Sequence, residues 1–188
     1  MNPLCEAAVE VQGFMAQRGW RFCLIGGLAV QRWGEPRLTR DIDLTLMTGI
    51  DHEEGFIREL LAKFTSRRPD AEHFALVARV LMLLASNGTP VDIALGAFDF
   101  DEAVVSRATP FLYEPGVSLI TCSAEDLLVL KAIAGRPLDW ADVKGIIARQ
   151  SGRLDWAYIR KQITYISQLK EETGILDEVE ALRAKLER

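Results

Sequence analysis

Residues 41–47 read Asp-Ile-Asp-Leu-Thr-Leu-Met, and this stretch restricts the conformation of the chain more than any other. Its alternation has the period of two that marks a strand with one buried face. Ile42, Leu44 and Leu46 supply that face, while Asp41 and Asp43 share the opposite one with Cα atoms roughly 6.5 Å apart. Aspartate is depleted in strands, and two like charges on one face repel, so the segment works against its own stability. A divalent cation between the carboxylates reverses the penalty, and hard Mg²⁺ prefers such oxygens. Taken alone, the Asp-x-Asp pattern is weak and fits an exposed strand with both acids in solvent better.

The residues just upstream sharpen the choice. Phe22 to Ile25 is a short apolar run that reads as a buried strand; Gly26-Gly27 ends it, and Leu28 to Trp33 has the pattern of a short helix. Glycines at such a turn let a backbone approach a phosphate closely, and the free N–H groups of a helix start favour an anion. A plain strand-to-helix turn is the simpler alternative. No Gly-x-Gly-x-x-Gly follows the strand, so dinucleotide binding of the Rossmann kind fits poorly. A polar loop, Gly34 to Arg40, joins the helix to Asp41, and Arg32, Arg37 and Arg40 cluster in this part of the sequence.

The rest of the chain has no repeat or linker. Helical spacing runs from Leu4 to Arg18. Asp51 with Glu54 has the form of a capping box for a helix reaching Phe64. Leu76 to Ala85 is rich in Val and Leu, Asn87-Gly88 is a hairpin signal, and Val91 to Leu95 is strand-like. Gly116 to Cys122 reads as a further strand. Ser123 with Asp126 opens a helix, Pro137 interrupts it, and Asp139 and Asp155 are expected to cap the two helices that follow. A charged helix from Leu176 to Arg188 ends the sequence. The expected class is α+β: a small mixed sheet with flanking helices over residues 1–122, then a helical segment over 123–188 packed on that core.

Composition narrows function by exclusion. The chain has 188 residues, 49% hydrophobic and 26% charged, enough for one folded domain with a helical appendage. No apolar run approaches the roughly 18–20 residues of a membrane span. Met1 to Val11 has no basic region ahead of an apolar stretch, so a cytoplasmic protein without membrane partners is expected. Cys5, Cys23 and Cys122 form no Cys-x-x-Cys pair and read as reduced structural thiols. The two histidines, His52 and His73, are too few for a His-rich zinc site. A net charge of −5 argues against gripping nucleic acid over a wide face.

Strand, Gly26-Gly27, helix, and then Arg37-x-Thr39-x-Asp41-Ile42-Asp43-Leu44 together resemble the nucleotidyltransferase (DNA polymerase β-like) superfamily. Its signature is an apolar residue, Gly-Gly or Gly-Ser, a spacer, and Asp-apolar-Asp-apolar. The R-x-T-x-D-I-D-L form looks most like the AbiEii-type branch, which holds toxin-like and uncharacterised bacterial proteins. The resemblance covers residues 20–150, and its spacer here is at the long end. It implies the nucleotidyltransferase fold and a third carboxylate on an adjacent strand. Asp92, the one acid in Pro90-Val91-Asp92-Ile93-Ala94-Leu95, fills that place, against the alternative of an edge-strand surface acid. Asp99 and Asp101 suit a helix start better.

By the same resemblance, Asp41, Asp43 and Asp92 would be catalytic and would bind two Mg²⁺ ions, with Mn²⁺ as a substitute. Gly26 and Gly27 would hold the β- and γ-phosphates of an NTP, the substrate. Lys131 and Arg40 would add positive charge, and Thr39 would support the phosphates or brace the strand. A surface role for Lys131, and an Arg136–Asp139 ion pair ordering the break at Pro137, are the alternatives there. The reaction implied is transfer of a nucleoside monophosphate from an NTP to an acceptor hydroxyl on tRNA, a protein or a small alcohol, with pyrophosphate leaving. Branch likeness implies a toxin–antitoxin setting, with an antitoxin or other protein partner. The main rival is an inactive domain of the same fold that binds a nucleotide or a partner. A metal-dependent phosphohydrolase fits less well, because the histidines it would need are missing.

Overall fold

The computed structural model describes residues 2–187; Met1 and Arg188, the outer ends of the two expected segments, lie outside them. In chain order the elements are α1 (Pro3–Gln17), β1 (Phe22–Leu24), α2 (Gly26–Trp33), β2 (Ile42–Met47), α3 (Glu53–Lys63), β3 (Thr65–Ser66), α4 (Ala71–Ala78), β4 (Val80–Leu84), β5 (Pro90–Gly96), α5 (Asp99–Ser106), β6 (Thr109–Glu114), β7 (Val117–Thr121), α6 (Ala124–Ala134), α7 (Pro137–Arg149), α8 (Trp156–Lys170) and α9 (Ile175–Leu186). They group into two units, one of Met1–Leu28 with Leu38–Cys122 and one of Ala29–Arg37 with Ser123–Arg188. Residues 29–37, expected with the core, thus group with the helical segment.

The first unit is a mixed sheet with helices, the α+β arrangement expected. Strand order is β3-β4-β5-β2-β1-β7-β6. β2 runs parallel to β5 and β1 to β7, and the other neighbours are antiparallel. The apolar half of the 41–47 alternation is buried as its period requires: Ile42, Leu44 and Leu46 join Leu81 and Leu83 of β4, Val91, Ile93 and Leu95 of β5, and Ile57 and Leu60 of α3 in one core. Each such side chain contributes about 1.5–3 kcal/mol on burial. Helix α1 is capped by Asn2, whose side chain accepts from the amides of Leu4 (2.8 Å) and Cys5 (3.1 Å). Gln12 ties the same helix to β7, donating to Ser118 O (3.0 Å) and accepting from Ile120 N (2.8 Å). Cys5, Cys23 and Cys122 are all buried and lie outside any disulfide.

Four local expectations need correction. Leu76 to Ala85 is not one strand: α4 ends at Ala78, Arg79 adopts φ +54, and β4 begins at Val80. The strain at Arg79 is offset by its guanidinium, which donates to Glu53 (2.5 Å), to Leu95 O (2.7 Å) and to Gly49 O (3.1 Å). Asp51 and Glu54 form no capping box, because Asp51 has φ +63 and α3 opens at Glu53 with His52 as its uncapped N-cap. β6 replaces the helical stretch that the sequence suggests before Gly116: it lies at the sheet edge with Thr109–Leu112 exposed, so it lacks a buried face to set a period of two, and an edge tolerates Pro110. Asp139 lies buried within the first turn of α7 rather than at a cap, and Arg136 is the N-cap residue.

The second unit follows its local signals elsewhere. Ser123 Oγ accepts from Asp126 N (3.1 Å) at the start of α6, and Gly135, with φ +67, ends that helix two residues before Pro137 opens α7. Asp155 caps α8 by accepting from Tyr158 N (3.0 Å). No helix among the described residues is long and apolar enough to cross a membrane.

Candidate active site

β2 and β5 pair in parallel with Asp43 opposite Asp92, so the two carboxylates leave the same face of the sheet. Asp41 falls one residue before β2, at an exposed bend, and its Oδ1 accepts from Thr39 Oγ1 (3.0 Å). Thr39 therefore braces Asp41 directly. Arg40, between them, is exposed.

The Gly-Gly turn lies against the same residues. Ile25 N donates to Asp43 O (2.9 Å), and α2 begins at the next residue, Gly26, whose φ is +59. A Cβ at Gly26 would stand 2.6 Å from Asp43 Cγ, and one at Gly27 would stand 2.6 Å from Thr39 Cβ. Both glycines are thus required by close approach to the carboxylate-bearing segment, and Gly26 also by its left-handed conformation. Gly26, Gly27, Thr39, Asp41, Asp43 and Asp92 all belong to the first unit, with Gly26 against Asp43, Gly27 against Thr39, Thr39 on Asp41 and Asp43 beside Asp92.

One residue beside these carries no signal in the sequence. Arg67, just past the two-residue β3, donates its amide to Met82 O (3.0 Å), and Met82 is the register partner of Asp92. Arg67, Met82, Asp92 and Asp43 thereby form a row that runs from the end of β3 across β4, β5 and β2, along which Arg67 Nη2 reaches Asp92 Oδ1 in an ion pair. The Nε of Arg67 is buried without a hydrogen-bond partner, an arrangement that costs about 1–3 kcal/mol. No periodic signal marks this arginine in the sequence, because β3 is too short to carry one.

The donor set suits a hard divalent cation: its ligands are carboxylate oxygens, and the carboxyl of Asp43 lies against Gly26, in ground that a Cβ would otherwise take. Among the described residues, however, no three His, Cys, Asp or Glu side chains are gathered into a group that could hold a metal ion. The fit is one of chemistry and sheet face, with Asp92 held by Arg67.

Lys131 belongs to the second unit, where its buried amine lies 2.9 Å from both Asp139 and Asp142. Arg37 donates to both Asp142 oxygens (2.8 Å each), and Arg136 donates to Asp139 (2.5 Å), the ion pair that the sequence suggested. Burial pushes both carboxyls up, but hydrogen bonds from Arg136 and Lys131 hold Asp139 below the usual carboxylate range, and those from Arg37 and Lys131 do the same for Asp142. The lysine amine is thus already engaged by two carboxylates.

No protein-family model and no curated protein matches the sequence. Among solved structures, the chain is similar to an antigenic nucleotidyltransferase-like protein from Paracoccidioides brasiliensis, with a TM-score of 0.50 and 16% identity over 94% of this chain and 91% of that one. It also aligns with the lincomycin-bound lincosamide antibiotic adenylyltransferase LnuA, at a TM-score of 0.49 and 16% identity over 77% of this chain and 98% of that one. The first likeness shows that the chain has the nucleotidyltransferase fold.

Proposed function

We propose that the protein is a metal-dependent nucleotidyltransferase of the AbiEii-like kind, moving a nucleoside monophosphate from an NTP to an acceptor hydroxyl. The observation that carries this reading is the register pairing of Asp43 with Asp92 on one sheet face, beside the Gly26-Gly27 turn. Nucleotidyl transfer asks a protein for positioning and charge neutralisation more than covalent chemistry.

Asp41, Asp43 and Asp92 would hold two Mg²⁺ ions. When bound, these ions supply neutralising charge at the attacking and leaving oxygens. Asp92 would also take the proton of the acceptor hydroxyl. Gly26 and Gly27 present backbone at the start of α2, where a phosphate finds free N–H groups. Thr39 orients Asp41, and exposed Arg40 adds positive charge near the phosphates. Lys131 is left out of this set because Asp139 and Asp142 already hold it. RNA, protein and small alcohols are the acceptor classes to be tried, and the AbiEii likeness makes a toxin–antitoxin setting the first cellular context to examine.

A second reading, a domain of this fold that binds nucleotide or a partner without turnover, draws on one observation: Arg67 already neutralises Asp92. The two separate when the protein is incubated with α-labelled NTPs, Mg²⁺ and tRNA, protein or small-alcohol acceptors. The transferase labels one acceptor class, and Asp43→Asn abolishes the label. If every acceptor stays unlabelled while nucleotide still binds, the second reading holds.

A further inference from the structure

Asp92 enters the proposed chemistry already carrying a counter-charge. The arginine that supplies it comes from two strands away, in the row Arg67, Met82, Asp92, Asp43. Both partners are half-buried, the Arg67 side chain at 26% exposure and that of Asp92 at 31%. Two features set this pair apart from an incidental surface contact. Arg67 Nε is buried and has no partner, so the guanidinium is incompletely satisfied where it lies. The adjacent Arg68 is committed elsewhere, donating through Nε and Nη2 (2.9 Å each) to the two oxygens of Asp70. Of these two neighbouring arginines, it is Arg67 that pairs with Asp92.

Resting on the transferase reading of the site, we infer that Arg67 is a positioning residue that competes with a divalent cation for Asp92 and so sets the metal affinity of the site. A cation bound by Asp92 and its register partner Asp43 would stand next to the guanidinium, where like charges repel. Binding it means giving up the charge-assisted hydrogen bond from Arg67 to Oδ1. Apparent affinity then falls by the fraction of molecules in which Asp92 is free of the arginine. The unsatisfied Nε limits how firmly the arginine is held, so it can yield.

The test is Mn²⁺ binding to the full chain without nucleotide, followed by the electron paramagnetic resonance signal of free Mn²⁺ and by calorimetry. Arg67→Met keeps the apolar stem and removes the charge; it should bind Mn²⁺ about tenfold more tightly, ~1.4 kcal/mol. Arg67→Lys, which keeps a charge but loses the planar fork, should tighten binding a fewfold. Adding Asp92→Asn to Arg67→Met should remove the gain. Equal or weaker Mn²⁺ binding by a folded Arg67→Met protein overturns the inference; should that variant fail to fold, unchanged affinity in Arg67→Lys does so. Binding that depends on Asp43 and Asp92 but not on Arg67 overturns this inference alone. Absence of Mn²⁺ binding, or binding indifferent to Asp43→Asn and Asp92→Asn, overturns the transferase reading as well.

Discussion

Gly26 and Asp43 stand so close that a single methyl group on the glycine would overlap the carboxyl of the aspartate. The contact joins two different strand ends. Gly26 follows β1 and opens α2, while Asp43 lies on β2, which pairs antiparallel with β1. It explains why the turn is glycine before any ligand is considered. It also means that whatever approaches the start of α2 meets a carboxylate, which suits a phosphate only when a cation stands between them.

The two glycines should respond differently to substitution. Gly26→Ala carries a left-handed backbone cost of roughly 1–2 kcal/mol as well as overlap with Asp43. Gly27→Ala sits in a helix, where alanine is favoured by about 1 kcal/mol, and its harm comes from the Thr39 side chain. A double-mutant cycle with Thr39→Gly should therefore show coupling of roughly 1–2 kcal/mol for Gly27→Ala, with partial recovery of the urea midpoint, and no recovery for Gly26→Ala. Equal coupling at both positions would contradict the geometry.

Asp92→Asn should weaken the protein even without metal. Like charges at one register position would make its removal favourable by a few tenths of a kcal/mol, but the ion pair with Arg67 is lost at the same time. For a pair this exposed, the net loss expected in EDTA is at most about 1 kcal/mol. Transfer should fall on the order of 10³-fold, the scale seen when one electrostatic stabiliser is removed. A melting temperature in EDTA that rises on Asp92→Asn would show the arginine to be a passive neighbour.

What was legible in the sequence was local. The 41–47 alternation, the Asn87-Gly88 turn and the Ser123 cap each depend on residues within a few positions, and each is present in the fold. Even the shared face of Asp43 and Asp92 follows once β2 and β5 are placed side by side, although only the family likeness suggested pairing them. The illegible parts depend on partners distant in sequence. Arg67 acquires its meaning from Met82 and Asp92. The break between α4 and β4 depends on a left-handed Arg79 held by Glu53, Gly49 and Leu95. The surroundings of Lys131 depend on Arg37, which lies in the loop before Thr39.

Lys131→Met should act on stability rather than on nucleotide binding. Methionine replaces the stem but leaves Asp139 and Asp142 buried without the amine between them. Breaking a buried ion pair costs about 3–5 kcal/mol; Arg37 and Arg136 remain, so the low end, about 3 kcal/mol, is expected. For a chain of this size that lowers Tm by roughly 6–12 °C. The KM for NTP should be unchanged at a temperature where the variant is folded. A raised KM with Tm intact would restore the lysine to the triphosphate site.

The same network sets an acid limit. Asp139 and Asp142 have folded-state pKa values below the ordinary value of about 3.9. Their contribution is therefore complete above that value and is lost as pH falls through it towards the folded pKa, because the unfolded chain takes up protons first. The unfolding free energy should decline from about pH 5 downward, with at most about 1.4 kcal/mol per pH unit for each carboxylate. In Lys131→Met the burial that raises both pKa values remains while one cation that lowers them is gone. Its urea midpoint should accordingly vary less between pH 5 and 3 than that of the wild type. Parallel acid limbs for the two proteins would place the acid sensitivity elsewhere, with Glu53, which Arg79 holds low against its burial, the next group to examine.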